Sequence, residues 1–217
     1  MRLPWHSKKK INILPPLDGY NRWAATYSEE SNPIKNLSNV SIEKLLPDLE
    51  GKIVLDAGCG TGHFCQLLEK NKASKIVGLD LSPAMIEIAK KASPLIEFRC
   101  QDISVIPLER EYFDFILCSL VIGHIADLGP AMDNLLGSLK KGGIILLTDF
   151  HPFLTLQHAQ RTFKDSNGKT VEIEHHLHLF QDLIQCFHDH QVNLELLEEP
   201  CWNNVPVVYI MKARKQP

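Results

Sequence analysis

The run VLDAGCGTGHF at residues 54–64 restricts the possible folds of this chain more than any other segment does. An apolar run typical of a β-strand ends in Asp56, and glycines then alternate with other small residues at Gly58, Gly60 and Gly62. Glycine is used where the backbone turns tightly or comes close to a ligand. The run therefore predicts a strand that leads through a ligand-contacting loop into a helix.

Short β-branched runs alternate with helical stretches on the C-terminal side of this loop. Near-continuous apolar strands separated by helices are typical of a parallel sheet covered on both faces. Ser82 is suited to be the N-cap of one of the helices, with Pro83 at its first position. The predicted strands are 52–57, 75–80, 95–100, 113–120 and 143–149, and the predicted helices are 63–71, 83–92 and 129–140.

The segments on either side of this core follow other patterns. Before the glycine loop, we predict a short helix from Tyr20 to Tyr27 and an amphipathic helix over residues 34–46. After residue 150, Asn167-Gly168 predicts a hairpin, and residues 177–190 predict a helix. The segments NLELLEEP and PVVYIMKA predict two antiparallel strands. We therefore expect one α/β domain, with the hairpin region inserted between its fifth strand and its last helix.

The composition is that of an ordinary globular protein, with 44% hydrophobic and 23% charged residues in a chain of 217. The net charge of −3 provides no overall basic surface for nucleic acid, and Lys8-Lys9-Lys10 is predicted to be a solvated terminus. Six cysteines without a CxxC pair indicate reduced thiols. Because no segment resembles a signal peptide or approaches transmembrane length, we expect a soluble, cytoplasmic protein that does not bind membranes.

The glycine loop does not fit the common phosphate-binding patterns. A Walker loop requires GxxxxGK[ST], and no lysine follows Gly62. The dinucleotide fingerprint GxGxxG places its third glycine at His63, which weakens that interpretation and leaves it open. The loop is therefore expected to bind a ligand that needs no phosphate cradle.

Three carboxylates follow one another at the carboxyl ends of three consecutive predicted strands, namely Asp56, Asp80 and Asp102. Each alone can be a helix cap or a turn former. Together they would line one crevice of a parallel sheet, where an acidic residue accepts hydrogen bonds from ribose hydroxyls. A carboxylate beside the loop also suits an ammonium or sulfonium charge. The three positions jointly favour a cationic adenosyl ligand.

These motifs resemble those of the class I S-adenosylmethionine-dependent methyltransferases, of the type 11-like small-molecule kind. The resemblance covers residues 50–152 and rests on VLDAGCGTGHF, GLDLSPAMIEIAKK, QDI and the long segment from FDFILCSL to LLTDFHPF. It implies a Rossmann-like sheet of seven strands in the order 3-2-1-4-5-7-6, with strand 7 antiparallel and helices on both faces. It further implies a single methyltransferase domain over 1–217, comprising an N-terminal helical cap (1–50), a cofactor-binding core (51–150) and an acceptor-side insertion with the last two strands (151–217).

The resemblance also assigns cofactor contacts. It implies that Asp56 and Gly58 flank the methionine moiety, that Asp80 binds the ribose, and that Asp102 and Ile103 contact the adenine. Cys118 and Ser119 would approach the methionine end, and the segment GYNRWAATYS resembles the helix that covers the cofactor in many members. The cofactor-binding residues predicted in this way are Tyr20, Trp23, Tyr27, Asp56, Gly58, Cys59, Gly60, Asp80, Leu81, Asp102, Ile103 and Cys118.

The acceptor is less constrained by the sequence. The segment SLVIGH follows the fourth strand, where methyltransferases acting on base amines often carry [DN]PP[YF], so a small molecule is favoured over nucleic acid. Ten histidines are many for this length, but His175, His176 and His178 lack a metal-ligand spacing such as HExxH, and no metal is expected. A histidine titrates near working pH and suits a general base for a hydroxyl acceptor. The candidates are His124, His151, His175 and His176.

The sequence thus predicts transfer of a methyl group from S-adenosyl-L-methionine, with S-adenosyl-L-homocysteine as the product, to a small-molecule acceptor, with O-methylation slightly favoured. Two further acceptors stay open, a carrier-protein-bound carboxylate and a tRNA wobble base. A catalytically silent, S-adenosylmethionine-binding regulatory protein and an oxidoreductase are alternatives of another class. The assembly is expected to be a monomer or a homodimer.

Overall fold

The computed structural model of the protein describes residues 12–29 and 32–217, and the predicted solvated terminus at Lys8-Lys9-Lys10 lies outside them. A short 3-10 turn, Ile122–His124, follows the fifth strand. In chain order the other elements are β1 (Asn12–Leu14), α1 (Pro16–Trp23), α2 (Pro33–Leu45), β2 (Ile53–Ala57), α3 (His63–Lys70), β3 (Lys75–Asp80), α4 (Pro83–Ala92), β4 (Glu97–Cys100), β5 (Phe113–Ser119), α5 (Leu128–Ser138), β6 (Leu139–Phe150), α6 (Pro152–Leu156), β7 (Thr162–Lys164), β8 (Thr170–Ile173), α7 (Phe180–Asp189), β9 (Val192–Glu198), β10 (Cys201–Trp202), β11 (Val205–Pro206) and β12 (Val208–Lys215).

A seven-stranded sheet forms the centre of the molecule, in the order β4-β3-β2-β5-β6-β12-β9. The strands from β2 to β6 are parallel to one another, and β12 is antiparallel to both β6 and β9. This order confirms the predicted pattern 3-2-1-4-5-7-6 with an antiparallel seventh strand. Parallel strands with crossover helices place their carboxyl ends along one edge, where open α/β sheets bind ligands.

Apolar side chains cover both faces of this sheet, because successive residues of a strand point to opposite sides. Leu55 packs into a core shared with α5 and α7, whereas its neighbour Val54 packs into a core shared with α2, α3 and α4. The prediction of a sheet buried on both faces is confirmed. Among the described residues, no helix is both long and apolar enough to cross a membrane.

The N-terminal helix begins and ends earlier than predicted. Pro16 stands in the first turn of α1, where a missing N–H costs nothing, and the helix ends at Trp23. The Ala24 N–H still donates to the Tyr20 carbonyl at 2.9 Å, and residues 24–29 continue as turns. Both predicted bounds, Tyr20 and Tyr27, were therefore wrong. Pro16 initiates the helix upstream of Tyr20, and turns replace the helix after Trp23.

A small second sheet of order β1-β8-β7 packs beside α1. The predicted hairpin around Asn167-Gly168 is confirmed as the antiparallel pair β7–β8, with Gly168 at φ +72°. The parallel partner β1 was not predicted, since a three-residue strand shows no periodicity and its partner lies far away in sequence. This sheet brings the hairpin next to the N-terminal helix.

Candidate active site

A cavity of about 350 Å³, called the main cavity, lies at the carboxyl ends of β2 to β5. Its volume is in the range of small-molecule sites. The predicted residues in its wall are Tyr20, Tyr27, Gly58, Gly60, Asp80, Leu81, Asp102, Ile103 and His124, and Ser119 joins them.

The glycine loop keeps the backbone close to this cavity. Gly58 adopts φ +76°, and a Cβ atom placed on it would lie 2.0 Å from Cγ2 of Val121. The N–H groups of Gly58 and Cys59 both donate to the carbonyl of Leu79, at 2.7 and 2.8 Å. The loop is thus fastened to the end of β3, and the glycine at its start is required by both conformation and space.

Asp80 is fixed by two backbone donors. Its Oδ2 accepts from the N–H of Gly60 at 2.8 Å, and its Oδ1 accepts from the N–H of Ser82 at 2.8 Å. Burial raises the pKa of this carboxyl, while the two N–H groups partly offset that rise. Each oxygen keeps a lone pair for a further donor. The arrangement fits a vicinal diol such as a ribose.

The end of β4 provides a second, more apolar part of the wall. The Ser104 N–H donates to Oδ1 of Asp102 at 2.7 Å, which closes a tight turn there. Ile103 is buried, and Met85 from α4 also lines the cavity. A carboxylate beside apolar side chains fits a flat heteroaromatic ring that carries an amino group.

Four predicted cofactor residues do not line the main cavity. Asp56 and Cys118 are buried within the sheet. The side chain of Cys59, a residue of the glycine loop, is buried beneath the loop backbone, and Trp23 lines a neighbouring cavity. Cys118 is replaced at the wall by Ser119, because adjacent side chains of β5 face opposite sides. Cys65 Sγ donates to Oδ2 of Asp56 at 3.3 Å. Burial raises the pKa of Asp56 to about 7.

His124 occupies the 3-10 turn after β5 and contacts α1. Its Nδ1 lies 2.7 Å from the carbonyl of Glu174 and its Nε2 lies 2.9 Å from the hydroxyl of Tyr20. Because a carbonyl only accepts, Nδ1 carries the proton, and Tyr20 donates to Nε2. Burial and the charge of Arg161 lower the pKa of His124 to about 4. The ring is therefore a neutral hydrogen-bond acceptor at pH 7.

The other predicted histidines lie elsewhere. His151 caps α6 through its Nδ1, which accepts from the Phe153 N–H at 3.1 Å, and its Nε2 lies 2.7 Å from Glu199. His175 lines a small cavity of about 40 Å³, and the backbone N–H of His176 donates to Gly123 at 2.7 Å. Among these four, His124 is the one that lines the main cavity. Within the described parts of the chain, no cluster of three or more His, Cys, Asp or Glu side chains is arranged to hold a metal ion.

A second cavity of about 250 Å³, called the side cavity, adjoins the main one. Tyr20, Tyr27, Leu120 and His124 line both cavities. Leu120 adopts φ +59° at this junction, a conformation that a leucine rarely takes. Arg161 also lines the side cavity, and sequence reasoning missed it. Arg161 pairs with Asp149, which belongs to another element. No local sequence pattern therefore marks Arg161 as a site residue.

The central part of the chain is similar to known methyltransferases. Residues 55–147 match the family described as methyltransferase domain. This segment lies within the seven-stranded sheet of the class I fold. Over 154 residues it is 30% identical to malonyl-[acyl-carrier protein] O-methyltransferase of Yersinia pestis, covering 66% of this chain and 56% of that protein. Over 99 residues it is 34% identical to a ubiquinone biosynthesis O-methyltransferase of Coxiella burnetii, covering 44% of this chain and 42% of that protein. The chain thus spans about half the length of these curated relatives.

Solved structures show the same fold. An S-adenosylmethionine-dependent methyltransferase from Mesorhizobium loti superposes with a TM-score of 0.71 at 21% identity, covering 82% of this chain and 98% of that one. The DhpI-SAM-HEP complex superposes with a TM-score of 0.72 at 18% identity, covering 91% and 95%. The segment that matches the methyltransferase domain ends at residue 147. Most of the side-cavity wall, Arg161 included, therefore comes from segments that flank it.

Proposed function

We propose that this protein transfers the methyl group of S-adenosylmethionine to a small-molecule acceptor, with an oxygen atom as the slightly favoured acceptor. The observation that carries the proposal is Asp80, held at the end of β3 by the N–H groups of Gly60 and Ser82 in the wall of the main cavity. The methyltransferase domain and the names of the relatives, which are O-methyltransferases, support it.

The wall of the main cavity suggests how the cofactor would be held. Asp80 would accept from the ribose hydroxyls, and Asp102 with Ile103 would hold the adenine. Gly58, Gly60, Leu81 and Ser119 would lie along the cofactor, while Cys59, Cys118 and the carboxyl of Asp56 would form the layer behind them. Tyr20, Trp23 and Tyr27 would cover it from α1 and the following turns. When bound, the cofactor supplies a methyl group activated by its sulfonium.

The role of the protein in this proposal is chiefly to position the acceptor and to exclude water. Tyr20 and Tyr27 belong to both cavities, so an acceptor in the side cavity would approach the main cavity between them. His124 is the histidine at this junction. Its low pKa makes it a weak base, which favours an acceptor that is already nucleophilic.

The test is to replace Asp80 by asparagine and measure binding of S-adenosylhomocysteine by calorimetry. Asp80→Asn keeps the shape but removes the charge, so the affinity should fall about 10- to 100-fold. Asp48→Asn is the matched control, because Asp48 Oδ1 also accepts from the N–H two residues ahead, at 3.1 Å, but lies outside the cavity wall. Unchanged affinity in Asp80→Asn would contradict the proposed cofactor site. Stronger binding of NADH than of S-adenosylhomocysteine would favour the oxidoreductase instead.

A further inference from the structure

Arg161 is a buried arginine whose hydrogen bonds are incompletely satisfied. Its side chain is 8% exposed, and its Nη2 lies 2.9 Å from Oδ1 of Asp149. Its Nε and Nη1 atoms have no hydrogen-bond partner within the part of the chain that the structure describes. Leaving buried charged donors unmatched is costly, so such groups are expected to meet an acceptor. Arg161 lines the side cavity, where a bound molecule can provide one.

The guanidinium group is held in one place by its surroundings. A Cβ atom on Gly123 would lie 2.2 Å from Nη2 and 2.6 Å from Cζ, so the group packs directly on the glycine backbone. Phe150 lies 4.2 Å from Cζ, measured to the ring centroid. Asp149 in turn accepts from the N–H groups of Gly123 at 2.7 Å and Phe150 at 2.6 Å. The carboxylate is thus stabilised by the backbone as well as by Arg161, which leaves most of the guanidinium donors for another partner.

The positive charge of Arg161 shifts the pKa values of two neighbouring histidines. Burial, and after it Arg161, lower the pKa of both His124 and His175, and Asp149 raises these pKa values less than Arg161 lowers them. The two imidazoles are therefore neutral at pH 7 and add no positive charge of their own. At the position of these two imidazoles the charge of Arg161 therefore outweighs that of Asp149, which suits an anion.

We propose that the methyl acceptor carries a carboxylate, and that Arg161 binds this carboxylate in the side cavity. The proposal rests on the methyl-transfer function proposed above and specifies its substrate class. A carboxylate is favoured over a doubly charged anion because Asp149 already offsets part of the Arg161 charge. Trp23, Phe150 and Trp202 line the same cavity and provide an apolar wall for the rest of the molecule. Arg161 is the specificity-determining residue in this arrangement.

The first experiment tests carboxylate binding without turnover. Acetate, benzoate and phenylacetate, and the three corresponding amides, are titrated into the protein while the ¹H–¹⁵N signal of the Arg161 Nε–H is followed. Arg161→Lys identifies this signal by losing it. We expect at least one acid to shift the signal and its amide, which has the same shape without the charge, to shift it far less. If no acid shifts the signal, or if the amides shift it equally, the carboxylate proposal is overturned.

The second experiment measures transfer. The protein is incubated with trideuteromethyl-labelled S-adenosylmethionine and a metabolite extract of its source cells, and labelled products are identified by mass spectrometry. We expect an acceptor that bears a carboxylate, and Arg161→Lys should lower kcat/KM for it about 10- to 100-fold, chiefly through KM. Affinity for S-adenosylhomocysteine should stay unchanged. Arg161→Lys keeps a cation beside Asp149, and its circular dichroism spectrum and Tm check the fold.

The matched control is Arg110→Lys. Arg110 also contacts an aspartate, Asp133, but its side chain is 62% exposed and lies outside both cavities. This variant should turn over like the wild type. If the wild type labels no product, the proposed methyl transfer fails. A labelled product whose unmethylated acceptor has no carboxylate, or a wild-type KM in Arg161→Lys, overturns the carboxylate proposal and leaves methyl transfer standing.

Discussion

Gly58 has two independent reasons to be glycine. Its φ of +76° lies in a region that side chains disfavour, and the wall residue Val121 occupies the space of a Cβ atom. The sequence predicted a glycine near a ligand, but the contact with Val121 arises only where the loop after β2 meets the turn after β5. The residue therefore links the stability of the domain to the shape of the main cavity.

Gly58→Ala should both destabilise the fold and weaken cofactor binding. We expect a loss of about 2–4 kcal/mol in the free energy of unfolding, from the positive φ and from displacement of Val121. Urea denaturation and calorimetry with S-adenosylhomocysteine measure the two effects. Gly142→Ala is the control, because Gly142 has φ +72° and none of the described residues comes within 4 Å of its Cβ position. It should cost about 1 kcal/mol and leave binding unchanged. Equal effects in both variants would show that the contact with Val121 is unimportant.

At the scale of elements, α1 is attached to the core through the start of α4. Ser82 caps α4 by accepting from the Met85 N–H at 3.1 Å, and the same hydroxyl donates to Oδ1 of Asn21 at 2.7 Å. Asn21 also accepts from the Ala84 N–H at 3.3 Å. The cap of one helix thus orients the other helix, which places Tyr20 over the main cavity.

Asn21→Ala should loosen α1 without unfolding the domain. Losing these hydrogen bonds should cost about 1–2 kcal/mol, and S-adenosylhomocysteine should bind more weakly because α1 covers the cavity. Hydrogen exchange should become faster in residues 16–23 and stay slow in β2 to β6. Asn36→Ala, on the exposed face of α2, is the control and should change neither property. Unaltered exchange in α1 would mean that other contacts, such as the stacking of Trp23 on Phe163, hold the helix.

At the scale of the whole molecule, His124 and Asp56 make the stability depend on pH in opposite directions. The pKa of His124 is lowered to about 4, so its contribution is complete above its unfolded pKa and is lost as the pH falls toward 4. The pKa of Asp56 is raised to about 7, so its contribution is present at low pH and is lost as the pH rises through 7. Each shift corresponds to about 3–4 kcal/mol. The two contributions therefore largely cancel between pH 4 and pH 7.

Asp56→Asn should uncover this balance. Asparagine keeps an oxygen that can accept from Cys65 but does not ionise, so the variant avoids the cost of a buried charge at high pH. In urea denaturation without cofactor, it should match the wild type near pH 4.5 and be about 2–4 kcal/mol more stable at pH 8. Comparison with the wild type at each pH removes the effects of the other titrating groups. A difference that does not change with pH would show that Asp56 is not protonated in the folded protein.

Much of the fold and part of the site follow from local sequence. The apolar runs predict the parallel strands, and a parallel sheet brings its carboxyl ends to one edge, so Asp80 and Asp102 could be placed in one crevice beforehand. The glycine loop is equally local, since its conformation is set by residues next to one another. The bounds of α1 were wrong because competing helix starts, here Pro16, differ by little in free energy.

Local sequence patterns set the order of the elements and the edge of the sheet at which the candidate cofactor-binding residues gather. Which side chains reach the cavities, and in which protonation state, depends on the tertiary packing. Asp56 and Cys118 face the interior, His124 is held against Tyr20, and Arg161 from the hairpin region meets Asp149. The physical reason is that burial and charge pairing depend on residues far apart in the chain, and a single step along a strand turns a side chain from cavity to core.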